Sequence, residues 1–229
     1  PEEKVPIPDF RTVADRYFDR PSPDLLDTIY ICQQRQDWYR DFARSAGFEK
    51  PAFVGSIRSG GNVAVAAAGI RETMGFRIEE RRKLPTWTDA LRRFIELAEN
   101  LGVLVMVSGI VGNNTRRKLD PMEFRGFALV DDMAPLVFIN GADTKAAQMF
   151  TLAHELVHIW IGETALTDSE ASKLPTKQET ERWCNQVAAE LLVPLDAFRN
   201  EQRVEFDLRE ELDRLARIFK VSTLVILRR

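Results

Sequence analysis

QMFTLAHELVHIWI, residues 148–161, decides the reading of this chain. Within it, His154-Glu155-Leu156-Val157-His158 interrupts an otherwise apolar run. A helix turns about 100° and rises about 1.5 Å per residue, so side chains four apart stand one above the other. His154 and His158 on such a helix can grip one ion, and Glu155 on the adjoining flank can reach a water beside it as a general base. Met149, Leu152, Ala153, Leu156, Ile159 and Trp160 fill the remaining circumference, which predicts a buried helix with one polar stripe. The chain of 229 residues holds 2 histidines, and both fall here. In an apolar run an unpaired imidazole is costly, so the pair reads as ligands of a zinc ion rather than as solvated or core histidines.

Outward from this stretch, the bulk numbers bound the class. At 229 residues and 45% hydrophobic, the chain is long enough to bury a core. No run of apolar residues is long enough for a membrane span, because even 51–70 is broken by Arg58, Asn62 and several glycines. The start, PEEKVPIPDF, lacks the basic-then-apolar order of a secretory signal, and Pro1 in place of Met reads as a chain cut upstream. Cys32 and Cys184 are too few for a disulfide framework, read as buried small hydrophobes, and fit a reducing cytoplasm. A net charge of −3 gives no general nucleic-acid signal, so direct DNA binding is not expected. The clusters Arg81-Arg82-Lys83 and Arg116-Arg117-Lys118 read as solvated loops.

Residues 1–75 read as a helical lead-in. Its first helix opens at Ser22-Pro23 and ends at Gly47, and a second runs over 62–74 to Gly75. The main unit spans 76–200. Thr86-Trp-Thr-Asp89 is a capping box, 103–107 a short buried strand, 109–121 a loop, and 125–130 and 135–140 two further strands. Asp143 is placed as the cap of the metal helix, which stops at Gly162. After a polar loop over 163–175, Thr176-Lys-Gln-Glu179 opens a helix that closes at Pro194. Residues 201–229 form a helical, helix-turn-helix-like module that reads as truncated at its end. The class is therefore α+β, with a small sheet of about three strands packed on two site helices.

Two imidazoles leave a catalytic zinc one protein ligand short. With no histidine left, the candidates after the motif are Glu163, Asp168, Glu170, Glu179, Glu181, Cys184 and Glu190. Glu181 is preferred because it shares a helix face with Asn185, Ala188 and Leu192, where a small residue admits a close neighbour. Asn185, one turn on, is placed to hold a ligand from behind. A surface ion pair is the competing role for Glu181. Zinc at this site would polarise a carbonyl and acidify a water, and Glu155 would take that water's proton and return it to the leaving nitrogen of a peptide. For the oxyanion, Arg125, Asn113 and Asn140 are candidates against an ordinary strand or turn role for each. Residues 135–140 read either as an edge strand on which a peptide substrate lies or as a core strand.

FTLAHELVHIW, followed after 22 intervening residues by Glu181 in ERWCNQVAAELLVP, resembles the ImmA/IrrE family of zinc metallo-endopeptidases. The likeness covers about 76–194, LARIFKVSTLVILRR resembles the small helical module that follows the core, and 1–75 resembles the lead-in of long members that begin with an XRE-type helix-turn-helix. The resemblance implies a zincin-like core, a cytoplasmic location and cleavage of a helix-turn-helix transcriptional repressor, with derepression under stress. It puts His154, His158 and a gluzincin-like third ligand, Glu181, on the metal, and Glu155 in the catalytic place. Trp183 stands where many members carry another acid. Two other readings compete: a non-catalytic zinc-containing transcriptional regulator, and a partner-binding module. An intact Glu155 favours the enzyme, since a structural site needs no base.

Overall fold

The computed structural model describes residues 10–11, 21–162, 177–203 and 207–229. The first described element is a two-residue strand, β1 (Phe10–Arg11). The Ser22 hydroxyl accepts the Leu25 amide at 3.1 Å and Pro23 sits in the first turn, so helix α1 (Pro23–Ser45) starts there. Asn62 caps α2 (Val63–Met74) in the same way, and Gly75 closes it in the left-handed conformation at φ 64°. A short helix, α3 (Ile78–Lys83), follows. Thr86 then caps α4 (Trp87–Asn100).

Strand β2 (Leu104–Ser108) leads into a hairpin of β3 (Ile110–Val111) and β4 (Asn114–Lys118), and then come β5 (Gly126–Leu129) and β6 (Leu136–Asn140). The main sheet runs in the order β1-β5-β6-β2, with β2 parallel to β6 and both β1 and β6 antiparallel to β5. Asp131 Oδ1 shapes the β5–β6 turn by accepting the Met133 and Ala134 amides at 2.9 Å.

Side chains of β6 alternate between two apolar clusters. Leu136 and Phe138 pack with Leu25, Ile29 and Cys32 of α1, whereas Val137 and Ile139 join the helices on the other face. β6 is thus an interior strand covered on both sides, which is why its sequence is an unbroken apolar run and why it offers no edge to a substrate.

The other face of the sheet carries α5 (Lys145–Ile161), packed against β5, β6, α4 and α6 (Lys177–Leu192). Three short helices complete the described chain: α7 (Leu195–Glu201), α8 (Leu208–Phe219) and α9 (Thr223–Leu227). The last carbonyls of α5 are met by the loop before α2, with Gly55 N donating to Ile159 O at 3.2 Å and Ile57 N to Trp160 O at 3.1 Å. Phe53 of that loop lies on Trp160, ring centroids 4.2 Å apart.

The fold is α+β, as the sequence predicts, with several local differences. Thr144, not Asp143, caps α5 and accepts the Ala147 amide at 3.3 Å. Part of the expected loop at 109–121 is the β3–β4 hairpin, turned at Gly112 with φ 53°. The cluster at 81–83 is helical, and Arg81 is buried, donating to Leu192 O at the end of α6. Arg117, expected free in solvent, pairs with Asp24 at 2.6 Å and Asp27 at 2.7 Å. Thr176 and the loop expected over 163–175 lie outside the described residues. No helix among the described residues is long and apolar enough to cross a membrane.

Candidate metal centre

Helix α5 carries both imidazoles on one face because their spacing is one turn. Their Nε2 atoms stand 3.1 Å apart. Across the α5–α6 contact, Glu181 Oε2 lies 3.2 Å from His154 Nε2, and its Oε1 lies 3.1 Å from His158 Nε2. α5 and α6 pack directly on one another, and Ala153 and Ala188, small residues of the two helices, are both fully buried. His154, His158 and Glu155 are all buried, while the Glu181 side chain stays 23% exposed and so faces an opening.

Ligand atoms held about 2.0–2.2 Å from a tetrahedral zinc sit roughly 3.3 Å from one another. The three donors here approach that triangle without any adjustment of the helices, and two nitrogens with one carboxylate are a donor set that suits zinc. The residues therefore fit the ion. Burial alone would raise the Glu181 carboxyl, but hydrogen bonds and charge from the two imidazoles override it and hold the group well below the ordinary carboxylate range. For His158, burial disfavours the charged ring, yet the Cys184 sulfur and the Glu181 carboxylate beside it reverse the balance and lift it well above its ordinary value. The carboxylate and ring attract one positive charge between them, whether proton or cation.

Other predicted residues are placed less directly. Asn185 Nδ2 donates at 2.9 Å to the main-chain carbonyl of Glu181, not to its carboxylate. Asn113 is exposed in the β3–β4 turn. Asn140 is buried at the end of β6, its amide donating to Phe124 O at 3.1 Å and its oxygen accepting the Ala142 amide at 3.1 Å. Arg125 is half-buried with Nε 3.5 Å from Asp143 Oδ2, immediately before Gly126. Of the alternative acids, Glu190 turns away from the imidazoles to pair with Arg229 and accept the Leu195 amide.

Two neighbours of the site take roles that the sequence does not specify. Cys184, one turn after Glu181, makes a side-chain hydrogen bond with His158. Gly126 lets β5 lie directly on α5: a Cβ there would meet Thr151 Cγ2 at 2.5 Å and Phe138 O at 2.7 Å, with Glu155 Cγ at 3.6 Å. Only tertiary packing reveals such a need.

Residues 98–229, more than half of the chain, match the Peptidase_M78 family, described as an IrrE N-terminal-like domain. The chain belongs to that family. The Peptidase_M78 match starts within the last turn of α4 and takes in the main sheet from β2 to β6, α5, α6 and the helices that follow, so it contains His154, Glu155, His158 and Glu181. It is a peptidase family, and the ImmA/IrrE likeness of the motif agrees with it. Among solved structures, a Mycobacterium tuberculosis transcriptional regulator is similar at 19% identity and a TM-score of 0.43, over 83% of this chain and 50% of that one. The chain thus spans half the length of that protein. No curated protein matches it.

Proposed function

We propose that this Peptidase_M78 chain is a zinc-dependent endopeptidase that cuts a specific protein in the cytoplasm, an XRE-type helix-turn-helix transcriptional repressor. One observation carries the reading: two imidazole nitrogens and a carboxylate from a second helix stand 3.1–3.2 Å apart, with Glu155 beside them on the same helix. Zinc, when bound, supplies a Lewis acid and a water of lowered pKa.

The chain's own groups do the rest. With the ion bound, His154 and His158 would present deprotonated Nε2 atoms from a buried helix, and the Glu181 carboxylate would bring a compensating charge. Glu155 orients the attacking water, takes its proton, and delivers that proton to the leaving nitrogen as the peptide bond breaks. Burial of Glu155 strengthens each of these electrostatic contacts by keeping bulk solvent out. Arg125, whose Nε lies 3.5 Å from Asp143 at the start of α5, is kept as the oxyanion candidate. Asn140 is spent on its own strand end, and Asn113 sits in an exposed turn.

The test compares zinc-loaded wild type with Glu155→Gln on the helix-turn-helix repressor encoded beside the gene. Wild type cleaves at a defined bond; Glu155→Gln keeps its zinc and loses roughly 10²–10⁴-fold in rate. Equal cleavage by the two proteins, or none by either, overturns the proposal and leaves a non-catalytic regulator.

A further inference from the structure

Two of the three donors stand near helix ends. His158 lies in the last turn of α5, which ends at Ile161, and Glu181 lies one turn into α6, which begins at Lys177. His154 alone sits well inside its helix. Terminal turns lack part of their hydrogen-bond ladder and open at little cost. A donor placed there keeps its position when something outside the helix fixes it.

The segment 53–61 meets both of these ends. At α5, the Gly162 amide donates to His158 O at 3.0 Å and to Ile159 O at 3.1 Å, and the segment takes up the carbonyls that follow: Gly55 N donates to Ile159 O at 3.2 Å and Ile57 N to Trp160 O at 3.1 Å. The Phe53 ring lies on Trp160, centroids 4.2 Å apart. No side chain fits at the crossing, since a Cβ on Gly162 would come within 2.5 Å of Gly55 Cα and 3.0 Å of Gly55 N. At α6, the buried Trp183 donates from Nε1 to Gly61 O at 2.8 Å. One segment is therefore bonded to α5 just after His158 and to α6 just after Glu181, and these are the two donors that face each other at 3.1 Å. It comes from before residue 98, where the family match begins.

We propose that the segment 53–61 is a positioning strap for the metal centre, holding the last turn of α5 to the early turns of α6 so that His158 and Glu181 keep their spacing. Trp183 and the Gly55–Gly162 crossing are its two fastenings. The inference rests on the zinc reading of the site and adds that affinity for the ion depends on a part of the chain outside the matched domain. Ligand distances to a metal are held within about 0.2 Å, so a small shift between the helices is felt at the ion. Groups that orient ligands from behind contribute about 10–100-fold in metal affinity.

The test uses the full chain and cobalt(II), whose visible absorption reports coordination geometry, in place of zinc. Trp183→Phe, the milder change, keeps a ring in place and removes the donor to Gly61 O. Gly162→Ala drives a Cβ against Gly55. Gly75→Ala is the control: it takes the same left-handed conformation at the end of α2, φ 64° against 73°, with nothing within 4 Å of its Cβ. Each protein is titrated at a temperature where far-UV circular dichroism shows it folded. Trp183→Phe and Gly162→Ala bind cobalt about tenfold or more weakly than wild type, and their saturated spectra shift. Gly75→Ala matches wild type in both. A segment that only adds stability would lower the melting temperature of the metal-free variants and leave affinity and spectrum unchanged, and that result overturns the inference. An equal loss of affinity in Gly75→Ala overturns it too. If wild type takes up no cobalt, the zinc reading falls and the strap's role falls with it. If wild type binds cobalt and the two strap variants bind it equally well, the strap falls and the zinc reading stands.

Discussion

The Glu181 carboxylate stands 3.1 Å from the His158 ring, so pH sets the strength of the contact between them. The Glu181 carboxyl is depressed in the folded chain, so its share of stability is present above its ordinary value of 4.5 and is lost as pH falls through the lower folded value. The His158 ring is raised, so its share is complete below 6.5 and is lost as pH rises through the higher folded value. These are two views of one interaction and count once. The metal-free protein therefore becomes less stable as pH rises above about 6.5 and the ring gives up its proton. With zinc the slope reverses over the lower part of that range, because protons compete with the cation for both imidazoles. Melting curves across this range, with zinc and with a chelator, check it; parallel slopes would show that the three groups do not share a cation. At this scale most of the site was legible. His154, Glu155 and His158 follow from the periodicity of one helix, and Glu181 from the face it shares on a second. Asn185 was legible as a helix neighbour, but nothing in the sequence showed that its amide prefers the Glu181 main chain to the carboxylate. A second prediction concerns Cys32: burial pushes its thiol up to about 12, against the pull of Arg35. It should resist thiol reagents at neutral pH in the native chain and react within the dead time once unfolded.

Helix ends that carry chemical markers are legible in the sequence, and unmarked elements are not. Ser22, Asn62 and Thr86 each accept a backbone amide at the start of a helix, and Gly75 and Gly162 each take a left-handed conformation at the end of one. By contrast α3 and α7 have no side-chain cap hydrogen bond and last only 6 and 7 residues, too short to show a period. The contact of β5 with α5 was equally invisible, and glycine substitution tests it. Gly126→Ala forces a Cβ against Phe138 O and Thr151, neither of which is a flexible chain end. We expect a loss of about 1–3 kcal/mol in urea unfolding, together with weaker zinc binding as α5 is pushed away. Gly69→Ala is the control: it lies exposed within α2, and its Cβ would meet nothing within 4 Å. That change should stabilise by about 0.5–1 kcal/mol. Equal effects at the two sites would remove the packing argument.

Across the whole molecule, the divisions proposed at 75/76 and 200/201 mark changes of sequence character, while one apolar cluster crosses both. It joins Phe53 and Ile70 before the first division to Leu152, Leu156 and Val187 between them, and to Leu215, Phe219 and Ile226 after the second. Polar contacts cross the same divisions: Arg71 Nη1 donates to Glu190 O at 2.7 Å, Arg82 pairs with Glu201 at 2.6 Å, and Trp87 Nε1 donates to Val221 O at 3.3 Å. The sequence places a helical module over 201–229 but not what it packs on, because which faces meet depends on topology. If the cluster acts as one body, damage at its far end is felt at the metal centre. Phe219 is fully buried in α8, beneath the Arg82 guanidinium at 5.8 Å from its ring centroid. Phe219→Ala removes a large buried ring and should cost about 3–5 kcal/mol. Followed in urea, tryptophan fluorescence and release of bound zinc should change together in wild type, and both midpoints should move down together in the variant. If zinc is retained after the fluorescence transition, or only the fluorescence midpoint moves, the C-terminal helices unfold as a separate unit and the α5–α6 site stands without them.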